Sequence, residues 1–116
     1  MNEISNVGLS DNSIEDPKTM PHSIEAEQQL LGAILTNNNV YDKINNIIKS
    51  NHFFEPVHAR IFELCESRIG RNSLASPVSL GTFMQSDEGL KELGGGAYLA
   101  KLAASAIAGF AARDYA

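Results

Sequence analysis

The side chains in this sequence best suited to chemistry are three histidines, one cysteine and a single well-placed glutamate. His22 and His52 fall in segments that read as loops, and His58 falls in the first turn of a helix. No two of the three have the i, i+4 spacing that puts two metal ligands on one helical face. His58 and Cys65 share a helix seven residues apart, about 10 Å along its axis at 1.5 Å rise per residue. That is too far for a base to activate a thiol. Cys65 also lies on an apolar stripe, where cysteines are usually inert. Glu27 is followed at i+3, i+4 and i+7 by Leu30, Leu31 and Ile34, so it points partly into a core. A buried carboxylate needs a partner, and His58 or Arg60 is the expected one. The alternative is a solvated Glu27 skirting the core edge. The triple glycine at 94–96 lacks the Lys-Ser or Lys-Thr pair of a phosphate-binding loop and reads as a turn before a helix. No catalytic, cofactor-binding or metal-binding set is expected in this chain.

Positioning these residues is the work of one small domain. The chain has 116 residues, 43% of them hydrophobic, and none of its apolar runs approaches the roughly 20 residues of a membrane helix. The N-terminus has no secretory signal pattern, and Cys65 is the sole cysteine, which excludes an internal disulfide. A cytoplasmic location is expected. Fourteen acids against nine bases give a net charge of −5, so phosphates are repelled on average. The one basic cluster, Arg60, Arg68 and Arg71, has Glu63 and Glu66 set among it. Direct DNA binding is therefore not expected.

Residues 1–20 read as a disordered acidic tail, too poor in apolar residues to offset their ordering entropy. Residues 21–116 read as the folded part. Ser23 is a good N-cap for a helix over Ile24–Leu35, stopped by Asn37-Asn38-Asn39. A second helix starts after Asn39 and ends near Ser50, with Asp42 at the capping-box position and Val40, Ile44, Ile47 and Ile48 as its buried face. Glu55-Pro56 opens the third, with Val57, Ile61, Leu64, Cys65 and Arg68 on one face. Ser76-Pro77 opens a short helix carrying Val78, Leu80 and Phe83, and another short piece covers Asp87–Leu93. Beyond the glycines, Ala97–Ala106 forms a helix, and Phe110–Ala116 opens a further one. The fold class is all-α, a compact bundle of about six short helices. Ile24, Leu31, Ile34, Ile44, Ile61 and Leu64 are its expected core.

The residues also carry a family likeness. Pro21-His22-Ser23-Ile24-Glu25-Ala26-Glu27-Gln28 and Leu31-Gly32-Ala33-Ile34-Leu35 resemble the opening of the N-terminal domain of the bacterial replicative DNA helicase, the DnaB family. Phe53-Phe54, His58 and Ile61-Phe62 resemble its F-[YF]-x3-H-x2-I-F segment. Gly94-Gly95-Gly96-Ala97-Tyr98-Leu99 resembles its G-G-x-x-Y-L turn, and Tyr115-Ala116 its Y-A.

The resemblance implies a non-catalytic collar domain that pairs subunits, as dimers within a hexameric ring, and recruits the C-terminal domain of primase. A helicase loader is a further candidate partner. ATP and magnesium would belong to a RecA-like motor domain outside this chain, so the parent would be an ATP-dependent helicase. The linker hairpin of the family would also lie past Ala116. Tyr98, Leu99, Leu102 and Phe110 are the candidate subunit or partner contacts. Ala103–Phe110 and Gly96 depart from the family pattern near that contact. Two readings compete: a stand-alone helical adaptor, and a small enzyme with a pocket around His58, Glu27 or Cys65.

Overall fold

A computed structural model describes residues 23–115, with side chains described as far as Ala108. The expected tail at 1–20, His22, and the side chains of Phe110 and Tyr115 lie outside the described residues, as does Ala116. Six α-helices and one short 3-10 turn make up the regular structure of the described residues, with no strand among them.

Helix α1 spans Ile24–Thr36, and the Ser23 side chain accepts the Ala26 N–H at its start. Helix α2 covers only Asn39–Ile44, shorter than its sequence predicts. Asn45-Asn46 favours turns, and the chain leaves the helix there. Ile47 then faces solvent at 69% exposure, while Val40, Ile44 and Ile48 are partly buried against the core. The capping box expected at Asp42 does not form, because the helix begins one residue early. Asn38 is its cap, which leaves Asp42 four residues past the cap, and the Asn38 side chain is engaged elsewhere. Its Nδ2 donates to the carbonyls of Ile34 and Ala75, both at 2.8 Å, and its Oδ1 accepts the Ala75 N–H at 3.0 Å. One asparagine thus ties the end of α1 to the loop before α4.

The 3-10 turn Ser50–His52 leads to α3, Pro56–Gly70, which buries Val57, His58, Ile61, Phe62 and Cys65. Helix α4, Pro77–Phe83, is capped by a reciprocal Ser76–Ser79 pair. Val78 and Phe83 of α4 are 81% and 63% exposed. At 100° per residue they cannot both join Leu80 on a single stripe. Helix α5 is Glu88–Leu93, and its Gly94 and Gly95 carry φ of 122° and 64°. A side chain is strained at such angles, so glycine suits the turn. Helix α6 then runs without a break from Gly96 to Tyr115. It replaces the two helices expected there, since a run rich in alanine, the best helix former, contains nothing to stop it.

Helices α1 and α6 make the most extensive pairing. Their axes come so close at Gly32 that an added Cβ would fall 1.9 Å from the Leu102 carbonyl oxygen. Leu31, Ile34, Ile61, Phe62, Leu99 and Leu102 are fully buried at the centre. Of the expected core, Ile24 is instead 38% exposed, and Ile44 and Leu64 pack only at the margin.

Candidate functional site

Three helices converge on one buried histidine. His58 has no solvent exposure, because α3 presents it on the face that packs against α1 and α6. Its Nδ1 lies 2.8 Å from Glu27 Oε1 and its Nε2 lies 2.6 Å from the Tyr98 hydroxyl. The Tyr98 oxygen also accepts from Gln28 Nε2 at 3.2 Å. Glu27 Oε2 accepts the Phe54 N–H at 2.7 Å, and Oε1 accepts that of Glu55 at 3.4 Å.

One assignment of protons that satisfies every contact uses a neutral imidazole. An ionised carboxylate only accepts, so Nδ1–H of a neutral imidazole donates to Glu27. Nε2 then accepts the Tyr98 O–H, whose oxygen takes the Gln28 N–H. The bonds run in one direction, Gln28 to Tyr98 to His58 to Glu27. The Glu27 carboxylate also meets the N-terminal end of α3, where the helix dipole favours negative charge.

Glu–His pairs often serve to activate a nucleophile, but this one has nothing to activate. Both ring nitrogens are occupied, and Tyr98 is only 7% exposed. Glu27 edges a hollow of about 160 Å³ lined also by Ala26, Leu30, Ile48, His52 and Phe53, and His58 does not reach it. Cys65 is fully buried, and that burial pushes its thiol up to about 12, far from a reactive thiolate. Among the described residues, no three His, Cys, Asp or Glu side chains gather in a way that could hold a metal ion.

Of the residues singled out in the sequence, the fold brings Glu27 and His58 together and sends Arg60 elsewhere. Arg60 Nε and Nη2 grip the two oxygens of Asp87 at 2.7 and 2.9 Å. That grip, helped by the Leu90 N–H, holds the Asp87 carboxyl down at about 2. Tyr41 donates to Glu66 at 2.8 Å, and burial together with that bond raises its phenol to about 12. Leu99 and Leu102 lie wholly inside the chain and Tyr98 nearly so. A subunit contact through α6 would therefore use its outward side, where Ala100, Ala104 and Ile107 are exposed. Sequence reading missed Gln28, Asn38 and Asp87. Asp87 alone carried a signal, as the acid preceding a short helix.

The outer surface differs in character from this interior. Leu74, Val78, Phe83, Phe54, Ile47 and Ile107 are each more than half exposed. Among the described residues, no helix is long and apolar enough to cross a membrane.

Comparison with known proteins gives a consistent picture. Residues 19–116 match the model of the DnaB-like helicase N terminal domain. The chain is similar to the replicative DNA helicase DnaB of Rickettsia prowazekii, 39% identical over 101 residues, covering 87% of this chain and 20% of that protein. The Rickettsia typhi protein of the same name is 37% identical over the same shares. That of Pasteurella multocida is 30% identical over 97 residues, 84% of this chain and 21% of the relative. The chain thus spans about a fifth of the length of the curated relatives it matches.

Proposed function

Because this chain belongs to the family of DnaB-like helicase N-terminal domains, we propose that it is a non-catalytic assembly domain. In this reading it pairs subunits of a replicative helicase ring in the cytoplasm and recruits primase, coupling unwinding to primer synthesis. ATP hydrolysis with its magnesium would belong to the remainder of the parent polypeptide, and a helicase loader is a further candidate partner.

The observation that carries the reading is a division of labour between interior and surface. Every side chain that could do acid–base or nucleophilic chemistry in the core, Glu27, His58, Tyr98 and Cys65, is consumed by packing or hydrogen bonds. Large apolar side chains meanwhile stand in solvent, as they do on surfaces that bind other proteins. The net charge of −5 argues against phosphate as the ligand.

The test is titration with the C-terminal domain of primase. The chain is used alone and also grafted onto a Rickettsia helicase in place of the matching region. Saturable binding in either form is expected. Failure of both to bind would remove recruitment from the proposal, and a strictly monomeric graft in sedimentation would remove subunit pairing.

A further inference from the structure

Two arginines two turns apart on α3 meet different fates. Arg60 is neutralised in a bidentate grip by Asp87. Arg68 has no acidic partner among the described residues. Its Nε donates to the Leu74 carbonyl at 2.6 Å, and its guanidinium carbon lies 4.7 Å from the centre of the Phe83 ring. Those two contacts fix the plane of the guanidinium, yet neither Nη nitrogen is hydrogen-bonded among the described residues. Arg68 therefore holds an oriented fork with unused donors.

The surroundings of the fork are equally specific. Leu74 and Phe83, the two residues that hold it, are themselves 65% and 63% exposed. Arg71, one turn further along, is exposed and makes no ion pair with a described residue. The stretch 72–86 has no charged side chain at all, in a chain whose net charge is −5. The junction of α3 and α4 thus combines an unspent positive charge with apolar surface, on a protein otherwise acidic.

From this complementarity we propose that the Arg68–Leu74–Phe83 surface docks a partner-protein segment. That segment carries an Asp or Glu next to one or two large apolar side chains. The carboxylate takes the free Nη fork in a paired hydrogen bond, and the apolar neighbours cover Leu74 and Phe83. A bare phosphate could use the fork but would leave both apolar side chains in water. The proposal rests on the recruitment reading above and gives it a location.

The test uses the primase C-terminal domain as probe in calorimetric titration at two salt concentrations. Arg68→Gln and Phe83→Ser are each expected to weaken binding at least tenfold, and Arg68→Gln to flatten its salt dependence. Ile47→Ser, equally exposed but remote in sequence from this surface, is expected to change binding by less than twofold. Leu74→Ser keeps the test valid should Arg68→Gln lower the melting temperature. If the unaltered chain binds and Arg68→Gln, Phe83→Ser and Leu74→Ser all bind within twofold of it, this location is wrong and recruitment stands. If the unaltered chain, free and grafted, does not bind, both fall together.

Discussion

Glu27 accepts hydrogen bonds from His58 and from the backbone of Phe54 and Glu55, and its removal should be felt well beyond its own turn of helix. Replacing it by Gln keeps the shape but turns one acceptor oxygen into a donor, setting an N–H against either His58 Nδ1–H or a backbone N–H. A buried group left unsatisfied costs roughly 1–3 kcal/mol, more where a charge was involved. We expect Glu27→Gln to lose about 2–4 kcal/mol in urea unfolding, and Tyr98→Phe about 1–2. The double variant should lose less than the sum, because the two sites share His58. Strict additivity would show that the chain of bonds does not act as a unit.

Asp87 offers a test by pH. Its folded carboxyl sits at about 2 against an ordinary 3.8. The stability it contributes is therefore fully present above the ordinary value and lost as pH falls through about 2. Arg60 is 44% exposed, which screens the pair, so the contribution is of order 1 kcal/mol. Asp87→Asn should be less stable than the unaltered chain at about pH 5, and the gap should close towards pH 2. A gap that stays constant would mean that the carboxylate charge is not its source, since Asn can still cap α5.

At the scale of elements, the closest approach of α1 and α6 turns on Gly32. A methyl group there would strike the Leu102 backbone oxygen, and backbone cannot rotate aside as a side chain can. Gly32→Ala should force the helices apart, costing roughly 1–3 kcal/mol or more. Gly70, near the end of α3, has open space around its Cβ position and no left-handed φ. Gly70→Ala should instead stabilise by about 0.4–1 kcal/mol. Thermal melts of the two variants ought to move in opposite directions, and a shared direction would contradict the packing described.

The same pair shows what sequence could and could not convey. Caps and prolines marked the starts of α1, α3 and α4 because those signals act within a single turn. The length of α2 was misread because four isoleucine or valine positions at helical spacing outweighed the Asn45-Asn46 turn. Which of Val78, Leu80 and Phe83 face inward was not legible in so short a helix, and only Leu80 is fully buried. The Glu27–His58 contact was legible in outline, since a carboxylate on an apolar stripe needs a partner. Tyr98 was not, because nothing local ties it to residues 40 and 70 positions away. Asn38 read as a helix stop, and its two long-range bonds to Ala75 are visible only in three dimensions.

At the scale of the whole molecule, Cys65 reports on the integrity of the bundle. The thiol has no exposure and burial raises it to about 12, so no reagent reaches it without substantial opening. Its labelling rate should rise with urea in step with loss of helicity, and destabilising variants such as Glu27→Gln should label faster in its absence. Rapid labelling of the unaltered chain in water would mean that the α3 face opens locally. Under the assembly role proposed above, such closure would have a use, since a domain that docks other proteins must present one fixed surface.

The buried network also has a consequence for how the chain comes into being. Glu27, Gln28 and His58 leave the ribosome well before Tyr98, which lies up to 70 residues further on. Until Tyr98 arrives, His58 Nε2 has only water for a partner and Gly32 has no α6 to pack against. The part of the nascent domain made before Gly96 therefore holds its apolar faces open, and closing waits on α6. A nascent chain arrested before Gly96 should be readily cut by protease, and one extended past Ile107 should resist, with protection appearing in a single step.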